Sequence, residues 1–276
     1  MILVINCGSS SVKFAVMEPL EQVMLVSGLA EKLGSDNAEI AIKIGDEKEV
    51  YQLGNAAHTE ALAKLVEVLR AHGLLEKLTA IGHRTVHGGD YFSDSVLITQ
   101  ETVDKVTECN ALAPLHNPAN LLGIAVCAEQ LPNLPQVAVF DTAFHQTMPD
   151  YAYLYATPRS WERDHHVRRY GFHGTSHRYI TQKTAELLGK PQSDLNIISA
   201  HLGNGSSVAA VVGGKSVDTS MGFTPLPGLI MGTRTGDIDP AIITYMMERL
   251  NVSAEAVLDL MNKKSGLLGI SELTND

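Results

Sequence analysis

The residues best suited to chemistry lie in short, glycine-bearing loops. Asn6-Cys7-Gly8-Ser9-Ser10-Ser11-Val12-Lys13 gathers three hydroxyls and one cation in a small-residue turn. Backbone N–H groups and serine hydroxyls suit phosphate oxygens, and Lys13 adds positive charge. The glycine spacing and ending of a Walker loop are absent, and on this segment alone a plain serine-rich β-turn is the simpler reading. In Gly82-His83-Arg84-Thr85-Val86-His87-Gly88-Gly89 an arginine stands among glycines and histidines, where a guanidinium can grip a carboxylate in bidentate fashion. A surface arginine in a flexible loop is the competing reading. Asp141 follows the apolar run 137–140, as expected of a carboxylate at the carboxyl end of a strand facing a ligand crevice. A helix N-cap role fits Asp141 equally well.

Three further segments are of the same kind. Gly171-Phe172-His173-Gly174-Thr175-Ser176-His177 sets two histidines four apart, which admits a zinc site. No glutamate follows the first histidine, and Gly174-Thr175-Ser176 reads as a loop entering a helix. A histidine donating to a phosphoryl oxygen is therefore the better functional reading. His201-Leu202-Gly203-Asn204-Gly205 is a second small-residue loop between strands. Gly232-Thr233-Arg234-Thr235-Gly236 holds an arginine between glycines, the layout of a mobile cation that reaches a transferring phosphoryl group. Each of these loops also reads as an ordinary hairpin turn. Their number in one acidic chain favours anion binding.

The elements that must position these residues alternate strand and helix, which predicts an α/β protein. Residues 2–5 and 12–16 read as a strand–turn–strand unit, 38–44 and 48–53 as a second strand pair, and 56–72 as a helix with Gly73 at C′. Asn117 is expected to cap a helix that begins with Pro118. Residues 195–200 and 208–212 restart the strand–loop–strand pattern. Ser10-Ser11-Val12-Lys13-Phe14-Ala15-Val16 aligns with Ser206-Ser207-Val208-Ala209-Ala210-Val211-Val212, so the chain reads as a duplication. Two such hairpin loops form a natural clamp for a polyphosphate. The domain boundary is expected near residues 147–151, giving domains 1–148 and 149–276. Asp239 with Pro240 starts a helix to about residue 250, and Ser253 starts another. No obvious element closes the second half, so the chain reads as cut.

Composition excludes several classes. A formal net charge of −10, without a basic block, argues against nucleic acid or an anionic membrane as main partner. Three widely spaced cysteines form neither a metal pattern nor a disulfide framework, which fits a reducing cytoplasm. Neither a signal-peptide core nor an apolar run long enough to span a bilayer is expected.

Taken together, residues 6–13, 82–89, 113–118, 139–149, 168–179, 201–205 and 231–240 resemble, in order, the signature blocks of acetate kinases, from Met1 to the last residue. Gly171-Phe172-His173-Gly174-Thr175-Ser176-His177-Arg178-Tyr179 is among the most specific. The resemblance implies duplicated ribonuclease-H-like domains of the actin-like ATPase superfamily, the second incomplete here. It implies reversible transfer of the ATP γ-phosphoryl to acetate by direct in-line attack of the carboxylate. By the same resemblance Arg84 binds the acetate carboxylate, Asp141 is the essential carboxylate, and Asn6 helps place Mg²⁺ (or Mn²⁺). His173 and Arg234 stabilise the phosphoryl group in flight. Lys13, Ser9, Ser10, Ser11 and the loop His201, Leu202, Gly203, Asn204 and Gly205 hold the nucleotide phosphates of ATP or ADP. Val86, Leu115, Phe172 and Pro225 line the pocket for the acetate methyl. Related propionate kinases tend to carry a smaller residue at the place of Val86, so acetate is the expected substrate and propionate a poor one. Family members are commonly cytoplasmic homodimers. A later adenosine loop, a metal-linked glutamate and a final helix of the family have no counterpart in these 276 residues, so this form is expected to be nearly inactive. The rival readings are a propionate or butyrate kinase, a non-catalytic ATP-dependent clamp and a zinc hydrolase.

Overall fold

The computed structural model describes residues 1–114 and 116–276. Strand β1 (Ile2–Cys7) sends Leu3, Ile5 and Cys7 to the core and leaves Val4 and Asn6 on the other face, the alternation of a half-buried strand. It pairs antiparallel with β2 (Val12–Glu18), which leads through β3 (Val23–Glu31) and β4 (Ala38–Ile44) to β5 (Glu47–Gly54) in one meander. On its other edge β1 pairs parallel with β6 (Ala80–Thr85). Beyond β6 come the two-residue strand β7 (Val96–Leu97) and then β8 (Gln136–Phe140), which runs parallel to β6 and antiparallel to β7. Among the described residues the sheet order is β5-β4-β3-β2-β1-β6-β8-β7. An antiparallel meander joined to parallel strands at β1 is the expected ribonuclease-H-like arrangement.

Helix α1 (His58–Ala71) buries Leu62, Leu65 and Leu69 at helical spacing, and Gly73 follows its C-cap with φ +63°. Helix α2 (Gln100–Glu108) takes its cap from Thr99, whose side chain accepts from Thr102 N. It packs on α3 (Asn117–Gln130), which also touches α1, β1 and β6. The core therefore lies between one sheet face and α1 and α3, with Ile5, Phe14, Ile40, Leu65 and Val126 inside it.

The first compact unit is Met1–Phe140 and the second Asp141–Asp276. In the second, β9 (Asn196–Leu202), β10 (Ser206–Val212) and β11 (Lys215–Thr219) form a three-stranded antiparallel sheet in the order β11-β10-β9. The repeat read from the sequence is visible here. Cys7 pairs with Val12 across the first hairpin, Leu202 pairs with Ser206 across the second, and each hairpin continues into a third antiparallel strand. The short helices α4 (Asp150–Tyr153) and α5 (Arg159–His165) precede α6 (Gly174–Leu188), which packs on β9. The 3-10 turn Ala143–Thr147 packs on β11 and α6, so it belongs with the second unit. Helices α7 (Ala241–Leu250), α8 (Ala254–Lys263) and α9 (Gly266–Ser271) follow. Ser253 is the N-cap of α8 as expected, its Oγ accepting from Ala256 N at 3.3 Å. The N-cap of α7 is Pro240 rather than Asp239, whose Oδ1 accepts from Ala241 N at 2.9 Å from one residue further out. Among the described residues no helix is long and apolar enough to cross a membrane.

Gly28 interrupts β3 for a packing reason. A Cβ there would stand 2.2 Å from Phe14 Cζ and 2.4 Å from the carbonyl oxygen of Ala41. The Phe14 ring occupies the space a side chain would need. Gly28→Ala is expected to destabilise the protein by about 1–3 kcal/mol, the range for overpacking a filled core. The urea midpoint should fall at unchanged slope, whereas Gly82→Ala, where a Cβ meets nothing within 4 Å, should cost much less. Equal midpoints for the two variants would contradict this packing account.

Candidate functional site

In the first unit the register of three strands sets the polar groups side by side. Asn6 lies opposite Lys13 across β1 and β2, and Ile5 pairs with His83, which brings Asn6 beside Arg84. Arg84 Nη1 donates to Asn6 Oδ1 at 3.4 Å. All three side chains stand on the face away from the core, at the end of the sheet where β1 and β6 finish. The loop after β1 is a tight one. Gly8 N donates to Ser11 O at 2.8 Å, and His58 Nε2 from α1 donates to Gly8 O at the same distance. Ser9 and Ser10 are exposed and Ser11 partly so, which leaves hydroxyls and backbone at the loop open to a ligand.

Two buried asparagines of α3 fasten the segment that follows Arg84. Asn120 Oδ1 accepts from Val86 N at 2.9 Å, and its Nδ2 donates to Cys7 O at 2.8 Å. Asn117 Oδ1 accepts from His87 N at 3.1 Å, and its Nδ2 donates to His87 O at 2.9 Å. The expected cap role of Asn117 is therefore corrected. His116 is the N-cap, and the Asn117 amide turns inward to bond both backbone groups of His87. Val86 is buried behind this clamp. Leu115, the other wall expected from the same region, lies outside the described residues.

In the second unit His173 takes a left-handed backbone, φ 58° and ψ 20°, immediately before α6. A non-glycine residue held there carries strain of order 1–3 kcal/mol that its surroundings must hold in place. Its ring stacks on His201, with centroids 4.0 Å apart, and its Nδ1 lies 2.9 Å from Ser207 Oγ. The opposite edge of the ring faces Gly205. A Cβ at Gly205 would stand 3.4 Å from His173 Nε2 and 3.3 Å from Arg234 Nη1, so the glycine is what lets the imidazole and guanidinium approach one place. Arg234 Nη1 also donates to Pro225 O at 3.0 Å, which ties the loop around Pro225 to the same group.

The other expected residues fall around this centre to different degrees. Phe172 is buried, and its carbonyl accepts from His145 Nε2 at 3.0 Å. Asp141 is 4% exposed and its carbonyl accepts from Gly174 N at 2.8 Å, which joins it to the first turn of α6. It is not the cap residue of the following turn, a position held by Thr142. Leu202 is 74% exposed, so it offers backbone rather than a packed side chain. Asn204 Oδ1 accepts from Asn275 Nδ2 at 3.1 Å, and Gly232 N donates to Asn204 O. His173 and His177 do not form a metal pair. Both rings turn to Ser207 Oγ, His177 through Nε2 at 2.8 Å. Among the described residues no group of three or more His, Cys, Asp or Glu could hold a metal ion. Ser199 and Asn120 escaped the sequence reading, as did the inward role of Asn117, and Ser207 entered it only as part of the repeat. The only signal for them was polar side chains inside apolar stretches.

The sheet order and the paired hairpins are those of the actin-like ATPase fold. A model of the acetokinase family matches residues 1–276, and the chain belongs to that family. It is 52% identical to an acetate kinase of Thermoanaerobacterium thermosaccharolyticum, the match covering all of this chain and 70% of that protein. A solved propionate kinase from Francisella tularensis superposes with a TM-score of 0.96 at 51% identity, covering 100% of this chain and 71% of the other. The acetate kinase of Porphyromonas gingivalis gives 0.94 at 47% identity, covering 100% and 70%.

Burial pushes four histidines, His83, His87, His145 and His177, down to about 4. For His83 and His145 hydrogen bonds to Gln136 and Phe172 offset part of the effect, and for His177 the neighbouring His145 and His201 add to it. Their ordinary value is 6.5, so the unfolded chain binds these protons more readily. Stability is then complete above pH 6.5 and is lost as pH falls towards 4, by up to about 1.4 kcal/mol per unit for each histidine. Chemical denaturation at pH 7 and pH 5 should show a clearly lower midpoint at pH 5. An unchanged midpoint would mean that these imidazoles are not held neutral by the fold.

Proposed function

We propose that this protein transfers the γ-phosphoryl group of ATP to acetate, reversibly, giving acetyl phosphate and ADP. The observation that carries the reading is the convergence of His173 and Arg234 on Gly205, which provides two preorganised donors at one place beside a phosphate-type loop. A carboxylate is already a competent nucleophile, so little proton transfer is required. The difficulty is to bring two anions together and to hold the charge that spreads over the equatorial oxygens.

The groups divide that work. Arg84, exposed at the end of β6, receives the substrate carboxylate in bidentate fashion. Val86, Leu115, Phe172 and Pro225 limit the size of the group attached to the carboxylate, with Val86 held rigid through its backbone bond to Asn120. Lys13, Ser9, Ser10 and Ser11, with the 201–205 loop, hold nucleotide phosphates. His173 and Arg234 donate to the transferring phosphoryl, and Asp141 is the carboxylate required by the site. Asn6 Oδ1 is a hard oxygen donor of the kind Mg²⁺ accepts, and a site with few protein ligands suits an ion that keeps water and phosphate around it. When bound, Mg²⁺ neutralises phosphate charge. We extend the reading to a cytoplasmic homodimer and to low turnover of the 276-residue form, which spans about 70% of the relatives it matches.

The likeness to a propionate kinase keeps a second substrate in view. One methylene in an apolar pocket is worth only about 1–3 kcal/mol, so propionate should be a poor but real substrate. The test is acyl-phosphate formation from Mg·ATP, trapped with hydroxylamine, for acetate, propionate and butyrate. It should be run on this chain and on a form carrying the remaining length seen in relatives. Acetate is expected to give the highest catalytic efficiency, and Val86→Ala should narrow its lead over propionate. Equal efficiency for the two acids in the unaltered protein would overturn the pocket assignment. ATP turnover that ignores carboxylates would favour a nucleotide clamp instead.

Arg234→Ala should lower kcat by roughly 10²–10³-fold, the scale for losing one preorganised donor. A loss of less than about threefold in steady-state assays would remove Arg234 from the transferring phosphoryl.

A further inference from the structure

Behind His173 lies a line of side chains that the phosphoryl chemistry does not itself use. Ser207 Oγ on β10 stands between two imidazoles, 2.9 Å from His173 Nδ1 and 2.8 Å from His177 Nε2. His177 Nδ1 in turn lies 2.9 Å from Ser199 Oγ on β9. Ser199, Ser207 and His177 are all buried. A serine hydroxyl has one proton, so Ser207 can donate to only one ring, and with that buried proton used it accepts from the other. The chain therefore has two consistent arrangements, and they leave His173 in opposite tautomers.

In one arrangement every ring N–H points towards a hydroxyl. His173 then carries its proton on Nδ1, and His177 donates from Nδ1 to Ser199. The Ser199 hydroxyl proton is left with no acceptor among the described residues, a cost of about 1–3 kcal/mol for a buried donor. In the other arrangement Ser199 donates to His177 Nδ1, His177 Nε2–H donates to Ser207, and Ser207 donates to His173 Nδ1. Every buried hydroxyl proton is then used. Burial, reinforced by the nearby His145 and His201 rings, keeps His177 neutral, as either arrangement requires.

We propose that Ser199, His177 and Ser207 form a hydrogen-bond relay that fixes His173 as its Nε2–H tautomer. The N–H then lies on the ring edge facing Gly205 and Arg234. His173 donates from that position without having to become an imidazolium first. Ser207 and His177 are positioning residues in this account, acting only through His173. The inference rests on the assignment of His173 to the phosphoryl group. Its structural half, the tautomer, stands or falls by itself.

The test is a long-range ¹H–¹⁵N correlation spectrum of the ¹⁵N-labelled 276-residue chain at neutral pH, with His173 identified by the signal missing in His173→Gln. The unaltered chain should show His173 with a protonated Nε2 and a bare Nδ1. Ser207→Ala should shift the ring towards the Nδ1–H form, and Ser207→Thr, which keeps the hydroxyl, should restore the original pattern. In a form carrying the remaining length seen in relatives, Ser207→Ala should lower kcat by roughly 10–100-fold with KM little changed, the range for removing outer partners that orient metal-bound histidines. An Nδ1–H tautomer in the unaltered chain overturns the relay, whether or not the Ser207 variants fold. An Nε2–H tautomer that survives in folded Ser207→Ala also overturns it. If the tautomer is as expected but His173→Gln keeps full activity, the relay stands and the phosphoryl role of His173 fails.

Discussion

Strand β1 is the constraint on which the first unit depends. It is the strand at which antiparallel pairing gives way to parallel pairing, with β2 on one edge and β6 on the other. Its register determines which side chains share a row. With Asn6 opposite Lys13 and beside Arg84, three polar groups stand together on one face while Ile5 and Cys7 enter the core. A slip of one residue would send Asn6 inward and bring Cys7 out, exchanging the two faces along the strand. The buried alternation of Leu3, Ile5 and Cys7 opposes that slip, because it would expose three apolar side chains at once. The position of Arg84 is thus secured by hydrophobic burial on the far side of the sheet.

A row of side chains does not by itself orient the backbone beyond it. That is the work of the two α3 asparagines. Each amide supplies a donor and an acceptor, so one side chain can satisfy two backbone groups from different segments. Asn120 does this for Cys7 O and Val86 N, residues 79 apart in sequence, and so links the end of β1 to the segment that follows Arg84. An apolar residue of similar size would pack in the same space but leave both backbone groups buried and unpaired. The fold therefore uses polar groups in the interior where position must be exact, and apolar ones where only volume is needed.

How much of this was legible depends on the range over which each signal acts. The β1 and β2 hairpin, α1, β4 and the starts of α7 and α8 depend on local periodicity and caps, which the sequence displays directly. Strand β3 was hidden, because Gly28 breaks its pattern and owes its place to Phe14 on the neighbouring strand. Asn117 read as a cap because an asparagine before a proline at a helix start usually is one. Its actual partner, His87, is 30 residues upstream and invisible to local reasoning. Arg84 and Arg234 stood out because glycines flank them, and Asp141 because it ends an apolar strand. Ser207 entered only as a member of the repeat, because its partners His173 and His177 lie 34 and 30 residues upstream.

The second unit shows why glycines were the better guide. His173 is held in a backbone region that disfavours any side chain, while Gly205 leaves room for His173 and Arg234 to meet. Both features cost stability or ordering entropy, and neither improves the core. They bring the ring edge and the guanidinium within reach of a common point, with neighbouring groups anchoring each. Ser207 holds the back of the His173 ring and Pro225 O holds Arg234 Nη1. Donors fixed before the reaction need not reorganise as charge develops, which is where electrostatic catalysis gains most of its effect. A chain of net charge −10 cannot attract a second anion by its overall field. Under the proposed function it must do so locally, where the strained histidine and the small glycine let two donors approach one place.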